Sequence, residues 1–384
     1  HLPDMAAAIE EIPKTKGDLK DRAYELQDAV AKPTEDFAGL RNYLFVDALG
    51  GNLAFPLVNL TQVPLAAYPY LSQYGFVRAG AALVRWAKPG AKPLDAQHAA
   101  DRKRAEDEGV LDPQEVHALQ ATARGGVLGS GAVLGSRAVQ TGLAIWGAGA
   151  AISEKYNRHV TFDAAYQIAR DTGVEDAYAF AEKAVDETQF IYNRGNRPSW
   201  ARGVGAPILI FKQFLISFLE MASRMPPSQK ALLVAMIIGM AGVEGLPFEE
   251  DAEDVLDTIM QWNGYNWSTR KEMEAWAHKT LGDTVGKGLT RGVPYAAELP
   301  FDVQSRLGFG NLIPGTGLLK PSERDKSRDF VEILGYGASV AQRAGRALES
   351  QFKGKTDEAT FQLAPKGVRD PLKGIEMATT GEYR

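Results

Sequence analysis

Along this chain apolar positions recur three and four residues apart, and no series of segments alternates with period two, which predicts helices and no sheet. Residues 5–31 read as helix around a break at Pro13, with mixed charges on the outer faces. Residues 36–88 are aromatic, and Pro56, Pro64 and Pro69 forbid one straight helix there, so short kinked helices are expected. A polar connector over 89–108 leads into a helix. Leu111, Val116, Leu119 and Ala123 then mark an amphipathic stretch starting at Asp112–Pro113. Residues 162–192 return to ordinary helical patterning, followed by a Pro/Gly/Arg linker over 193–207. Two apolar helices are expected at 207–225 and 231–246, with a corner at Pro226–Pro227. Residues 249–262 and 268–282 read as helices, 286–320 as irregular because glycine and proline dominate, 324–352 as a last helix, and the remainder as an extended tail.

One stretch departs from this amphipathic rule. From Gly126 to Ile152 the single charge is Arg137, and small residues fill the sequence. The run is long enough to cross a hydrocarbon core of ~30 Å as a helix. Gly125/Gly129, Gly131/Gly135 and Ala138/Gly142 repeat the small-xxx-small spacing that lets helix backbones approach closely. Each glycine costs an isolated helix ~1 kcal/mol relative to alanine, so the run needs tight neighbours. A buried hairpin in a soluble assembly and a segment that meets a bilayer both satisfy that need. Arg137 near mid-bilayer would cost ~2.5–3.5 kcal/mol, which favours a packed or pore-facing position. Gly129, Gly131, Gly135, Ala138 and Gly142 are therefore the expected helix seam. The other apolar helices present Ile208, Leu209, Phe211, Phe214, Leu215 and Phe218, then Leu232, Leu233, Met236, Ile237 and Ile238, as membrane- or subunit-facing candidates. Both are short for a comfortable span.

Composition narrows the chemistry. The chain has 384 residues, no cysteine, 24% charged residues, a net charge of -5 and a mean hydropathy of -0.22. Without cysteine there are no disulfides, thiolate metal sites or cysteine nucleophiles. The mild acidity argues against gripping nucleic acid by overall charge, though not against a lumen through which it slides. The chain starts at His1 and reads as a piece of a longer polypeptide, and residues 1–31 lack the apolar core of a signal peptide.

Motif by motif, no catalytic set emerges. The five histidines lack paired ligand spacing, and neither a phosphate-binding glycine loop nor a GxSxG elbow is present. Acidic residues 249–257 follow Pro247, where a helix N-terminus favours negative charge; a divalent-metal site is the competing reading, without the spacing of a calcium loop. Arg194, Arg197 and Arg202, beside Tyr192 and Trp200, read either as a solvated linker or as contacts to lipid headgroups or phosphates. No cofactor and no metal is expected.

Three blocks together resemble the internal virion, or DNA-ejection, proteins of short-tailed phages and related large phage polypeptides. The first is Val58–Leu65 (VNLTQVPL) with Pro69–Leu71 and Tyr74–Gly75; the second is Glu187–Tyr192 (ETQFIY), Asn196–Pro198 and Pro207 through Phe214. The third runs from Gly245–Phe248 (GLPF) through Asp251–Asp257 and Gly264 to Ser305–Pro314, which is similar to the PLxRFG signature of the giant polypeptides but reads Arg-Leu-Gly-Phe-Gly where Arg-Phe-Gly is expected. The blocks span roughly residues 42–317. The resemblance implies a protein packed in the capsid interior and expelled into the host periplasm and inner membrane. There it would act as a structural, non-enzymatic subunit of an oligomeric conduit for the genome. Its implied partners are copies of itself, other ejection or tail and core proteins, phage DNA in transit and the host inner membrane. A helical chain free of disulfides suits passage through a narrow tail, because local contacts re-form quickly.

The expected fold is therefore all-α, an elongated multi-helix assembly subunit with apolar glycine-rich helices and irregular Pro/Gly-rich C-terminal segments. Its expected regions are 1–88, 89–125, 126–192, 193–320 and 321–384. Two other readings stay open. One is an unrecognised portion of a larger peptidoglycan-cleaving or virion RNA polymerase polypeptide; the other is a pore-forming channel domain.

Overall fold

The computed structural model describes residues 2–31, 40, 44, 47–48, 54–113, 137–190, 213–299, 303, 316, 336–364, 369 and 372. Among these residues the secondary structure is helical throughout, without a strand. Helices α1 (Leu2–Glu10) and α2 (Gly17–Ala31) flank the Pro13 break. Proline then dictates the local geometry as expected. After α3 (Ala54–Asn59), residues Val63–Ala67 wind as a π-helical turn in which the Tyr68 N–H reaches back to the Val63 carbonyl. Pro64 and Pro69 lack donors, so the ladder widens instead of continuing. A short α4 (Tyr68–Leu71) and α5 (Phe76–Trp86) follow.

The first core forms around α7 (Arg137–Thr172), which packs on α3, α5, α6 (Ala96–Asp107) and α8 (Ala177–Gln189). Asp95 and Asp176 cap α6 and α8, accepting from the His98 and Ala179 N–H groups at 2.8 and 2.9 Å. Leu71, Trp86, Phe162, Tyr166, Ile168 and Val185 fill the interior. Helix α7 runs unbroken through Ile152 and joins the end of the apolar run to the helical patterning expected from residue 162. No residue between them breaks the helical ladder, and the pattern changes in polarity alone.

A second core gathers Leu65, Phe190, α9 (Gln213–Arg224) and α10 (Pro227–Ala241), with Val303. The expected corner falls at Met225–Pro226, with Pro227 opening α10. Beyond it lie α11 (Glu249–Trp262), α12 (Thr269–Leu281), α13 (Asp283–Arg291) and α14 (Val293–Ala296). Part of the region expected to be irregular is thus helical, because its glycines serve contact. Gly242 (φ 73°) and Gly292 (φ 90°) lie in the left-handed region, and a Cβ on either would fall 2.0 Å from the Thr290 carbonyl oxygen or 2.4 Å from that of Met240. Two backbones cross there with no room for a side chain, which pins α13 against α10.

At the C-terminal end, α15 (Tyr336–Phe352) turns at Gly354 into α16 (Thr356–Leu363), which packs back on it. That second helix stands where an extended tail was expected. Its eight residues bury little beyond Ala359, too little to leave a periodic signature.

Candidate functional site

Two buried polar clusters and one exposed apolar stripe concentrate the chemistry of the described residues. The first cluster lines α7. Ser153, Glu154, Asn157, Arg158 and Thr161 recur at helical spacing and are all buried. Arg158 pairs with Glu154 at 3.2 Å and donates to the carbonyls of Val110 (3.2 Å) and Phe190 (2.9 Å). Asn157 donates to the Asn59 carbonyl at 2.7 Å, and Gln62 to that of Thr188 at 3.0 Å. The Val58–Leu65 block and residues 187–190 of the second block, more than a hundred residues apart, therefore meet over the same face of α7. Their polar residues close non-helical backbone ends that would otherwise be buried without partners.

Nearby, His98 is enclosed. Its Nδ1 accepts from the Leu94 N–H at 3.1 Å, which places the ring proton on Nε2, 3.0 Å from Asp163 Oδ1. Arg102 holds the second Asp163 oxygen at 3.2 Å. Both ring nitrogens are occupied, so this pair locks α6 to α7. A shallow recess of about 160 Å³ opens beside it, between Trp86, Lys88, Arg102, Tyr156 and His159. Burial and the adjacent Arg102 hold the His159 imidazole below its usual range.

The second cluster lies beneath α11. The acidic residues after Pro247 open that helix as expected, with Glu249, Glu250 and Asp251 in its first turn, but several of them are not solvated. Asp251, Glu253, Asp254 and Asp257 are buried, and the helix turns its acidic face inward. Arg270, one residue into α12, makes this feasible: it lies 2.9 Å from Glu253, 3.9 Å from Glu249 and 3.8 Å from Glu244. Arg291, at the end of α13, approaches Glu244 at 3.6 Å and Glu274 at 3.5 Å. Asp257 accepts from the Thr269 N–H at 2.7 Å, capping α12. Thr316 reaches Asp251 and Asp254 at 3.2 Å each.

Glu244 is 1% exposed and makes no hydrogen bond through either oxygen. Burial outweighs the two guanidinium groups and pushes its carboxyl up to about 7. Burial and the neighbouring Glu253 raise Glu249 as well. Carboxylates outnumber guanidinium groups here, and Glu244 and Glu249 hold their protons to higher pH than ordinary carboxyls do. Among the described residues, no group of three or more acidic or histidine side chains is arranged to hold a metal ion.

With its acids turned inward, α11 presents its apolar residues to solvent. Val255 is 41% exposed, Ile259 49% and Trp262 70%, and Leu256, Phe248 and Tyr265 are exposed too. Phe248, at the N-terminal cap, adopts φ 65°, an uncommon conformation for a bulky residue. The stripe was readable in the sequence as apolar residues at 248, 252, 255, 259 and 262. Its direction was not.

The residues singled out from the sequence are placed as follows. Leu215, Phe218, Leu233 and Ile237 are buried in the second core, with Phe214 and Met236 packed against it half-buried. Leu232 and Ile238 are also half-buried. Ala138 and Gly142 lie in α7. Gly129, Gly131, Gly135, Arg194, Arg197, Arg202, Ile208, Leu209 and Phe211 fall outside the described residues, as do residues 114–123 of the amphipathic stretch, of which Leu111 is described and buried. No described helix is long and apolar enough to cross a membrane. Comparison with protein families, curated proteins and solved structures finds no match to this chain.

Proposed function

We propose that the chain is a structural subunit of a phage DNA-ejection apparatus, an internal virion protein that assembles with copies of itself into a conduit for the genome across the host envelope. The observation that carries this reading is the incomplete cover on α10. Residues 231–241 (ALLVAMIIGMA) are apolar all round, and such a helix belongs in an interior. The chain buries one row of it, Leu233, Ile237 and Ala241. Val234 is 43% exposed, and Leu232, Met236 and Ile238 are half-buried. At fifteen residues, ~22 Å long, α10 is too short to span a bilayer alone. Cover from neighbouring copies suits this geometry.

The polar clusters support the same role. His98, Arg158 and Arg270 each tie together segments distant in sequence, as groups that hold a subunit's shape do. The resemblance of the three sequence blocks to ejection proteins supplies the biological setting. Light scattering on the purified chain, alone and with lipid vesicles, tests the reading. Defined multimers in at least one condition are expected, and a strict monomer in both overturns it.

A further inference from the structure

We infer that the outward face of α11 is a two-fold contact with a second copy of this chain. The inference refines the assembly reading above by naming one surface through which copies meet.

Three features argue for it. The stripe Phe248, Ala252, Val255, Ile259 and Trp262 steps by four, three, four and three residues, the spacing with which one helix keeps a single seam toward another. All five are on the helix or its cap, and none belongs to either of the chain's buried cores. The stripe is also nearly palindromic in size. Laid antiparallel on its own copy about Val255, Phe248 meets Trp262, Ala252 meets Ile259 and Val255 meets itself. A small residue thus faces a large one, and an aromatic closes each end, which is the self-complementarity an isologous contact requires. Finally, the seam carries no charge, because the helix turns Asp251, Glu253, Asp254 and Asp257 inward onto its own chain. Two identical faces therefore approach without the like-charge repulsion that interfaces use to reject wrong partners. A lipid surface fits less well: interfacial helices carry lysine and arginine on the polar face, whereas the polar face here is acidic.

The absence of cysteine makes the test clean. Val255→Cys, treated with a short bis-maleimide at increasing protein concentration, is expected to cross-link to its own copy. Phe248→Cys is expected not to, because antiparallel pairing about Val255 holds the two 248 positions ~21 Å apart. Ile259→Glu is expected to weaken self-association by more than about tenfold, since a carboxylate in an apolar seam is left unpaired. Both substituted positions at the seam centre are exposed, so far-UV dichroism and thermal melting should match the parent chain. Multimers that survive Ile259→Glu, with no Val255→Cys cross-link, overturn this seam and leave the assembly reading standing. A monomer at every concentration overturns both. Cross-linking of Phe248→Cys and Val255→Cys with equal efficiency overturns the antiparallel arrangement. Loss of vesicle binding rather than of self-association in Ile259→Glu makes lipid the occupant and overturns the second copy.

Discussion

Replacing Glu244 with glutamine should stabilise the protein above neutral pH and change little near pH 4.5. The carboxyl is enclosed and its ionised form poorly served, with Arg270 and Arg291 no closer than 3.6 Å and no hydrogen bond to either oxygen. Its folded-state value of about 7 lies above the ordinary 4.5, so the folded chain holds this proton more tightly than the unfolded chain does. Stability contributed by the group is therefore fully present below pH ~4.5, falls as pH rises toward ~7, and stays lost above that. A displacement from 4.5 to about 7 corresponds to on the order of 3 kcal/mol. Glu244→Gln keeps the shape and removes the ionisation, while Arg270 keeps Glu253 and Arg291 keeps Glu274. Urea unfolding followed by tryptophan fluorescence is the assay, because Trp262, Trp267 and Trp276 surround this cluster in sequence. At pH 8 the variant should gain up to ~3 kcal/mol over the parent, and at pH 4.5 the two should agree within ~0.5 kcal/mol. A variant less stable than the parent at pH 8 would show Glu244 to be a net favourable ion pair and refute the reasoning.

The crossing of α10 and α13 makes a second expectation. Gly242→Ala or Gly292→Ala drives a Cβ into backbone at a positive φ and should cost more than ~3 kcal/mol, read by the same unfolding assay. Arg158→Ala should cost ~3–5 kcal/mol, because it strips the buried Glu154 of this partner and frees the Val110 and Phe190 carbonyls. A cost under ~1 kcal/mol in thermal or urea melts would show that water replaces the guanidinium.

Much of the fold was legible before any coordinates. The helical period and the proline corners at 64, 69 and 226 gave the class and several element ends, because both signals are local. Direction was not local. The stripe of α11 is as plain in the sequence as any core-facing row, yet it points outward because Arg270 draws Glu249 and Glu253 inward. That arginine lies 17 residues from Glu253, and no periodicity joins the two. Glycine misled in a related way. Gly286 and Gly288 read as irregular chain, but Gly286 sits in a helix with its Cα against the Ala277–His278 backbone, where a Cβ would approach to 3.0 Å. Close helix contact through glycine also occurs where the sequence reading did not anticipate it, at 242 and 292. The missing cue was a partner backbone, which only the fold supplies.

The account rests on α10 being unfinished in a single chain, and a spin label at Val234 addresses that most directly. Val234→Cys is the chain's single thiol and lies on the uncovered side of the helix. The account predicts that the label is open to a water-soluble paramagnetic relaxant in dilute protein and shielded from it as concentration brings copies together. A label equally accessible at every concentration, with or without lipid, would mean that this surface has no occupant and would contradict the reading of the chain as an assembling subunit.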